Sequence, residues 1–477
     1  MASTTIEEGG WRAPVIGGEQ NFSSVSATLS NLVLTPRTPL WWYVGAGISG
    51  AFLLLFLIAS IWTFTVGVGA WGVNIPVAWG LALANYTWWI GIASGGTFIS
   101  SLFYIVGADW RNGVNRTAES LTLFAAAAAG MMPVLHLGRQ GLFYWLFPYS
   151  TVMGVWPQFL SPLIWDFAAL LCYILNSIVF WYIGLIPDCA TLRDRATTRS
   201  QRLLYGILAL GWRGSARDWR SYKAAYLVMA GVMAPMVVSV HSIVGLDFAA
   251  GLVAGWHSTQ WPPYFFIGAL YSGWAVVLCL IIPLRRLYRL ERIITERHLD
   301  VIGKLMLTTG LLLAYCYLME VMDPLYSGDP AKVTEFYASA FGHYGATYWA
   351  RNTLNIFIPQ LLWFPAVRRN KVALGLIALG VVTGMWLERY NFVVSALAQD
   401  YMPSEWRFYG ATFWDWAILL GSAGLVMGGF FLAIRFLPIV SMFEIRELIH
   451  RRSNTEGTAG PHAPGAVERP SSAGRAL

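Results

Sequence analysis

Charge is what this sequence has least of. Asp, Glu, Lys and Arg make up 12% of its 477 residues, about half the share of an ordinary soluble domain. That deficit excludes a water-soluble globule. Cysteine is scarce as well: Cys172, Cys189, Cys279 and Cys316 stand singly, with neither redox nor metal-ligand spacing. The chain alone therefore offers no ligand set for an iron–sulfur cluster or other metal, and buried packing is the reading for all four. No strand-length window alternates with period two, which excludes a β-barrel. The stretch up to Leu34 also lacks the apolar core of a signal peptide.

What fills the chain instead is apolar: 56% hydrophobic residues, with 24 Trp. Runs long enough to span a bilayer, about 20 residues each, fall at 41–66, 76–106, 118–146, 161–186, 224–246, 262–284, 300–322, 346–366, 372–394 and 410–438. The expected fold is an all-α integral membrane protein of about ten transmembrane helices. The expected division is a cytoplasmic tail over 1–37, a membrane domain over 38–445 and a disordered Ser/Gly/Pro/Ala-rich cytoplasmic tail over 446–477.

Orientation follows from the basic residues. With both termini in the cytoplasm, only Arg139, Lys332, Arg351, Arg389 and Arg407 lie toward the outside, leaving 27 of the 32 Lys and Arg inside. That is the positive-inside pattern. It also accounts for the net charge of +7 without any nucleic-acid partner; such charge orients the chain and holds anionic lipid. Residues 199–212, rich in Leu and Arg, read equally as an interfacial helix or as a basic loop.

Seven ionisable residues then stand out inside apolar helices: His136, Asp166, His241, Glu320, Arg351, Glu388 and Asp415. A charge at the centre of a bilayer costs roughly 2.5–3.5 kcal/mol even on the mildest scale and usually marks a working site. Counting along alternating helices brings all seven toward the outer edge. His136, for example, lies 17 residues beyond Glu119, roughly 25 Å along a helix rising 1.5 Å per residue. The inner halves hold little ionisable beyond flanking residues such as Lys304 and Arg435. Residues near helix ends can snorkel to the interface, and Asp247, Asp323 and Arg389 are the clearest cases. Snorkelling favours Lys and Arg, however, and should populate both edges, so the expectation is a polar pocket opening to the outer leaflet.

Local sequence agrees with a shaped site. Pro133 interrupts a helix one turn before His136. Ser94-Gly95-Gly96-Thr97 offers small residues for close helix packing. The outer loops 147–161 and 246–263 are aromatic and nearly uncharged, as an aromatic membrane belt or a protein dock would be. A short echo links Trp165-Asp166 with Trp414-Asp415.

A lipid-accessible pocket holding a His and an Asp suits a quinol. Its oxidation removes two electrons and two protons, and the hydroxyls need acceptors within hydrogen-bond reach. His136 and Asp166 are the candidate proton acceptors, with Arg139 and Asp247 as orienting or exit groups. His241, Trp165, Arg351 and Glu320 complete the candidate substrate-binding set. The electrons need a redox centre on a partner at the outer face. Two alternatives remain open: a haem b anchor ligated by His136 and His241, and a secondary transporter using the Asp, Glu and Arg residues.

Linked motifs resemble one family. They are Trp88-Trp-Ile-Gly-Ile-Ala-Ser-Gly-Gly-Thr-Phe-Ile-Ser100, Pro133-Val-Leu-His-Leu-Gly-Arg139, Ser161-Pro-Leu-Ile-Trp-Asp166, His241-Ser-Ile-Val-Gly-Leu-Asp247, Trp261-Pro-Pro-Tyr264 and Pro359-Gln-Leu-Leu-Trp363. Together they resemble the polysulfide-reductase NrfD-like family, and within it the quinol-binding membrane subunit of bacterial alternative complex III.

The resemblance implies two four-helix bundles plus peripheral helices in a bacterial inner membrane. It implies menaquinol or ubiquinol oxidation near the periplasmic face, with the family's quinol-contacting His and Asp falling on His136 and Asp166. It further implies a periplasmic-side iron–sulfur subunit, partner c-type cytochromes carrying haem c, a second NrfD-like membrane subunit and a terminal oxidase. A quinone-reducing anchor for a molybdopterin and iron–sulfur oxidoreductase is the other reading it allows. The family's His in the second span is Ser94 here.

Overall fold

The computed structural model describes residues 14–18, 20–146, 162–399 and 401–458. A short helix, α1 (Phe22–Leu34), precedes the first span, α2 (Leu40–Val66). There follow α3 (Gly80–Ile105), α4 (Asn115–His136), α5 (Pro162–Arg195), α6 (Arg199–Leu208), α7 (Ala216–Ala249), α8 (Trp261–Leu287) and α9 (Glu296–Ser327). Next come α10 (Pro330–Phe341), α11 (Gly345–Asn352), α12 (Pro365–Arg369), α13 (Lys371–Tyr390), α14 (Ala396–Ala398), α15 (Phe413–Phe436) and α16 (Met442–Thr458). No strand occurs among the described residues.

Nine helices among the described residues are long and apolar enough to cross a membrane. The expected crossing at 346–366 is helical but segmented: α11, a wide π-type turn over Thr353–Phe357 and a tight 3₁₀ turn over Ile358–Trp363. Pro359 explains the break. It has no N–H to offer the Asn355 carbonyl one turn back, and the Tyr271 hydroxyl donates to that carbonyl instead, at 2.8 Å.

Packing sorts the spans into two rings of four. Helices α3, α4, α5 and α7 contact one another in sequence and close on themselves. Helices α8, α9, the segmented helix and α13 do the same. Helices α2 and α15 form a peripheral pair laid against α4 and α3. The rings join where α3 meets α8, and glycine is required there: a Cβ on Gly95 would lie 2.3 Å from the Gly273 Cα. The small residues of the second span are thus packing surface, as expected. Ser94 sits fully buried among them.

Four expectations need correction. The third span ends at His136 rather than running to 146, because Gly138 turns the chain with φ +76°; Arg139 therefore lies beyond the helix, exposed. The region past 446 is not shapeless, since α16 continues to Thr458. Cys172 is exposed, whereas Cys189 and Cys316 are buried as expected. The inner half of the first ring is also rich in ions.

Arg116 donates to Glu119 at 2.8 Å, to the Gly184 carbonyl at 2.6 Å and to Asp188 at 3.3 Å. Tyr226 donates to Glu119 at 2.9 Å. Arg111 pairs with Glu444 of α16, which also accepts from Asn115 at 2.6 Å. All five charged groups are buried. Arg111, Arg116, Asp188 and Glu444 all fall just outside the expected apolar runs, so a count within those runs misses the cluster they form with Glu119. The network ties α4, α5, α7 and α16 together. Residues 147–161, one of the two aromatic loops, lie outside the described residues.

Candidate functional site

In a ring of alternating helices, the starts of α3 and α5 and the ends of α4 and α7 share one edge. Trp79, Leu83 and Tyr86 come from the first, Pro162 and Asp166 from the second, His136 and Leu137 from the third, and Asp247 and Phe248 from the fourth. Together with Gly251, Val253 and Trp256 they line a cavity of about 470 Å³. That is the size of a small-molecule site, and its walls have the usual character: mostly apolar and aromatic, with a few convergent polar groups. Trp79 at its rim is 37% exposed.

The polar groups are arranged in a specific way. The Tyr86 hydroxyl donates a short hydrogen bond to Asp166 Oδ1. The Asp166 and Asp247 carboxyls stand within hydrogen-bond reach of each other. Such a bond needs one of the two to carry a proton, since an ionised carboxylate only accepts. Asp247 Oδ1 and His136 Nε2 are buried with no partner. Buried polar atoms are rarely left so. The site therefore presents an imidazole nitrogen and a carboxyl oxygen without partners beside a close pair of carboxyls.

The sequence reads Asp247 both as an interfacial residue and as an orienting or exit group, and the structure places it in the cavity lining beside Asp166. Sequence reasoning misses Tyr86 altogether. Its one signal is a polar ring in an otherwise apolar stretch of α3, which many core tyrosines share. Trp165 precedes Asp166 on α5 but is not part of the cavity lining, and neither is the exposed Arg139.

The remaining candidates belong to the second ring. Arg351 donates to both Glu320 oxygens, at 2.9 and 3.0 Å, and lies over the rings of Tyr317 and Tyr348. Tyr317 donates to Glu388 at 2.7 Å and accepts from Asn355 at 2.8 Å. Arg389 is buried 4.0 Å above the Phe265 ring and 3.2 Å from Glu388, so it does not snorkel. Glu320 and Arg351 line a second cavity of about 50 Å³, with Glu335 and Ser339 of α10. Burial raises the Glu335 pKa to about 7 against a hydrogen bond from Ser339 at 2.7 Å.

An aromatic wall separates the two cavities: Trp256 donates to the Phe392 carbonyl at 2.8 Å and Trp261 to the Trp256 carbonyl at 2.5 Å. Tryptophans of the 246–263 loop are thus structural walls rather than a membrane belt.

Two further candidates resolve differently. His241 is 1% exposed, with both ring nitrogens unpartnered, and does not line the cavity that His136 faces. A haem held by both imidazoles would need a cleft common to them, and the large cavity is not that cleft. Asp415 is a helix cap: it accepts from the Thr412 hydroxyl and amide at 2.8 Å, from the Gly72 amide at 2.9 Å and from Tyr409 at 2.7 Å. Like Asp166 it lies near a helix start and accepts from a tyrosine hydroxyl, but it does not line the large cavity.

The family model described as "Polysulphide reductase, NrfD" matches residues 71–399. A membrane subunit of a putative dimethyl sulfoxide reductase, from Halobacterium salinarum, is 25% identical over 73% of this chain and 77% of its own length. A selenate reductase subunit from Mesobacillus selenatarsenatis is 22% identical over 76% of this chain and 86% of its own length.

Proposed function

The chain belongs to the polysulphide reductase NrfD family, and on that premise we propose that it is the quinone-exchanging membrane subunit of an oxidoreductase complex. The names of its relatives, one a membrane subunit and both subunits of reductases, favour an anchor for a terminal reductase of the molybdopterin and iron–sulfur kind. They give no support to the alternative complex III assignment with its c-type cytochromes and terminal oxidase. A reductase consumes electrons, so the direction proposed here is oxidation of quinol at the outer edge of a cytoplasmic membrane. The quinone-reducing direction would use the same pocket.

One observation carries this reading. The unpartnered His136 Nε2 and the Asp166–Asp247 pair face the same cavity, and a quinol brings two hydroxyl protons. His136, with its Nδ1 protonated, accepts from one hydroxyl. The carboxyl pair, holding a proton between its members, accepts the other and passes one on through the free Asp247 oxygen. Tyr86 fixes the orientation of Asp166 by donating to it. Phe248, Trp256 and Leu83 clamp the ring and exclude water. The two electrons leave for the redox centre of a partner subunit.

The test is quinol binding and turnover in the assembled complex. His136→Ala and Asp166→Asn should each abolish quinol oxidation while the complex still assembles. Wild-type turnover in both variants would end the assignment.

A further inference from the structure

A third cavity, of about 170 Å³, lies at the basic end of the first ring, the end opposite the His136 pocket. It is enclosed by the end of α5, the turn between α6 and α7, and α16. Its lining includes three arginines, Arg193, Arg213 and Arg446, against one carboxylate, Asp194, with Thr191 and the rings of Trp212, Trp219 and Phe443.

Only part of that charge is met from within. Arg193 donates to Asp194 at 2.8 Å and to the Trp212 carbonyl at 2.9 Å. Arg446 reaches Thr191 at 3.4 Å, but its Nε is buried with no partner. Burial lowers the Arg446 pKa; Asp188 opposes this and Arg195 adds to it. Arg213 is exposed.

The cavity floor is built of packed aromatic rings. Trp219 stacks on Phe443 at 4.3 Å and Trp212 meets Trp219 edge-on at 4.8 Å. Beside it runs α6, whose Thr198 caps the helix and whose Tyr205 is anchored to the Phe436 carbonyl at 2.9 Å. The opposite face of α6 is apolar and bare: Leu203 is 66% exposed and Ile207 65%. With Leu210 just past the helix end, they repeat at helical spacing, as on a helix lying in a membrane interface.

We propose that this cavity binds the phosphodiester headgroup of an anionic membrane phospholipid, whose acyl chains lie along the exposed face of α6. A concave site with surplus guanidinium charge fits a phosphate, and the neighbouring apolar stripe fits a lipid as its bearer. By the positive-inside rule this is the leaflet where such lipids meet basic segments.

The test uses the full chain, purified in detergent and analysed by native mass spectrometry after exposure to phosphatidylglycerol, cardiolipin or phosphatidylcholine. Wild type should retain the two anionic lipids and release phosphatidylcholine. Arg213→Gln should lower retention about fivefold, in keeping with the contribution of a single basic residue near a membrane surface, and adding Arg193→Gln and Arg446→Gln should abolish it. The control pair Arg217→Gln and Arg220→Gln, exposed and outside the cavity, should retain lipid as wild type does. The single variant stays informative even if the triple variant misfolds, because Arg213 is exposed and its loss opens no gap in the core. Equal retention in every variant, or equal loss in the control pair, would overturn the proposal. So would displacement of the lipid by inorganic phosphate at equal concentration, which would make the site one for free phosphate.

Discussion

At the inner end of the first ring, Arg116, Glu119, Asp188, Arg111 and Glu444 are closed on one another and on Tyr226 and Asn115. At its outer end, Tyr86, Asp166, Asp247 and His136 also converge, yet His136 Nε2 and one Asp247 oxygen face open volume. Both ends gather ionisable side chains around a tyrosine. The difference is charge pairing: inside, α16 inserts Glu444 and each carboxylate meets a guanidinium, whereas outside the four helix ends surround a cavity of about 470 Å³ lined by an imidazole and two carboxyls with no cation among the described lining residues. Titratable groups that line a cavity without a counter-charge are thus the candidates for ligand contact. Where opposite charges close on one another, they are a fastener. Asp415, with four donors around it, is a fastener as well.

This contrast can be broken most directly through function. His136→Ala and Asp166→Asn should lower quinol turnover by about 10²–10⁴-fold, the usual weight of a lost acid–base group, with melting temperature and assembly unchanged. A parallel fall in melting temperature would place the outer groups with the fasteners.

The converse experiment is Arg116→Met, which strands Glu119 and Asp188 without their cation. Breaking a buried pair costs roughly 3–5 kcal/mol, so the purified chain should melt far earlier or fail to accumulate. Normal stability in that variant would remove the structural role of the inner network.

Tyr86→Phe sharpens the comparison at lower amplitude. It removes a hydrogen bond to a charged group, worth about 1.5–3 kcal/mol, so turnover should fall roughly ten- to a hundredfold, with the quinol KM little changed. An unchanged rate would show that Asp166 is held by Asp247 alone.

The smallest effect concerns the second ring. Burial raises the Glu335 pKa from its ordinary 4.5 to about 7. The unfolded chain therefore releases this proton first as pH rises. The stability present below 4.5 is lost progressively up to about pH 7. Glu335→Gln should flatten that slope in thermal melts taken across this range. An unchanged slope would assign the pH dependence to other groups.

Much of this architecture is legible in the sequence, for reasons tied to particular residues. Long apolar runs identify spans because the bilayer forbids unsatisfied backbone, and helical counting places His136 and Asp166 at one edge because rise per residue is constant. Depth is only one coordinate, however. Counting assigns Glu320 and Arg351 to the same edge, yet they line a different cavity, since rotation about the helix axis and ring membership are set by packing. Arg389 reads as interfacial because it lies near a helix end, whereas Phe265 and Glu388 enclose it. Pro359 advertises a disturbance, but only the Tyr271 hydroxyl shows how the freed carbonyl is satisfied.

Sequence by itself determined the class of fold and the approximate heights of the ionisable groups along their helices, because hydrophobic length and helical rise are local quantities. Tertiary structure alone decided which of those groups meet. The contact of Asp166 with Asp247, the hydrogen bond from Tyr86 and the pairing of Glu444 with Arg111 each depend on how one helix is set against another. That placement is fixed by small-residue packing such as Gly95 on Gly273, across nearly two hundred residues of chain, and no single segment encodes it.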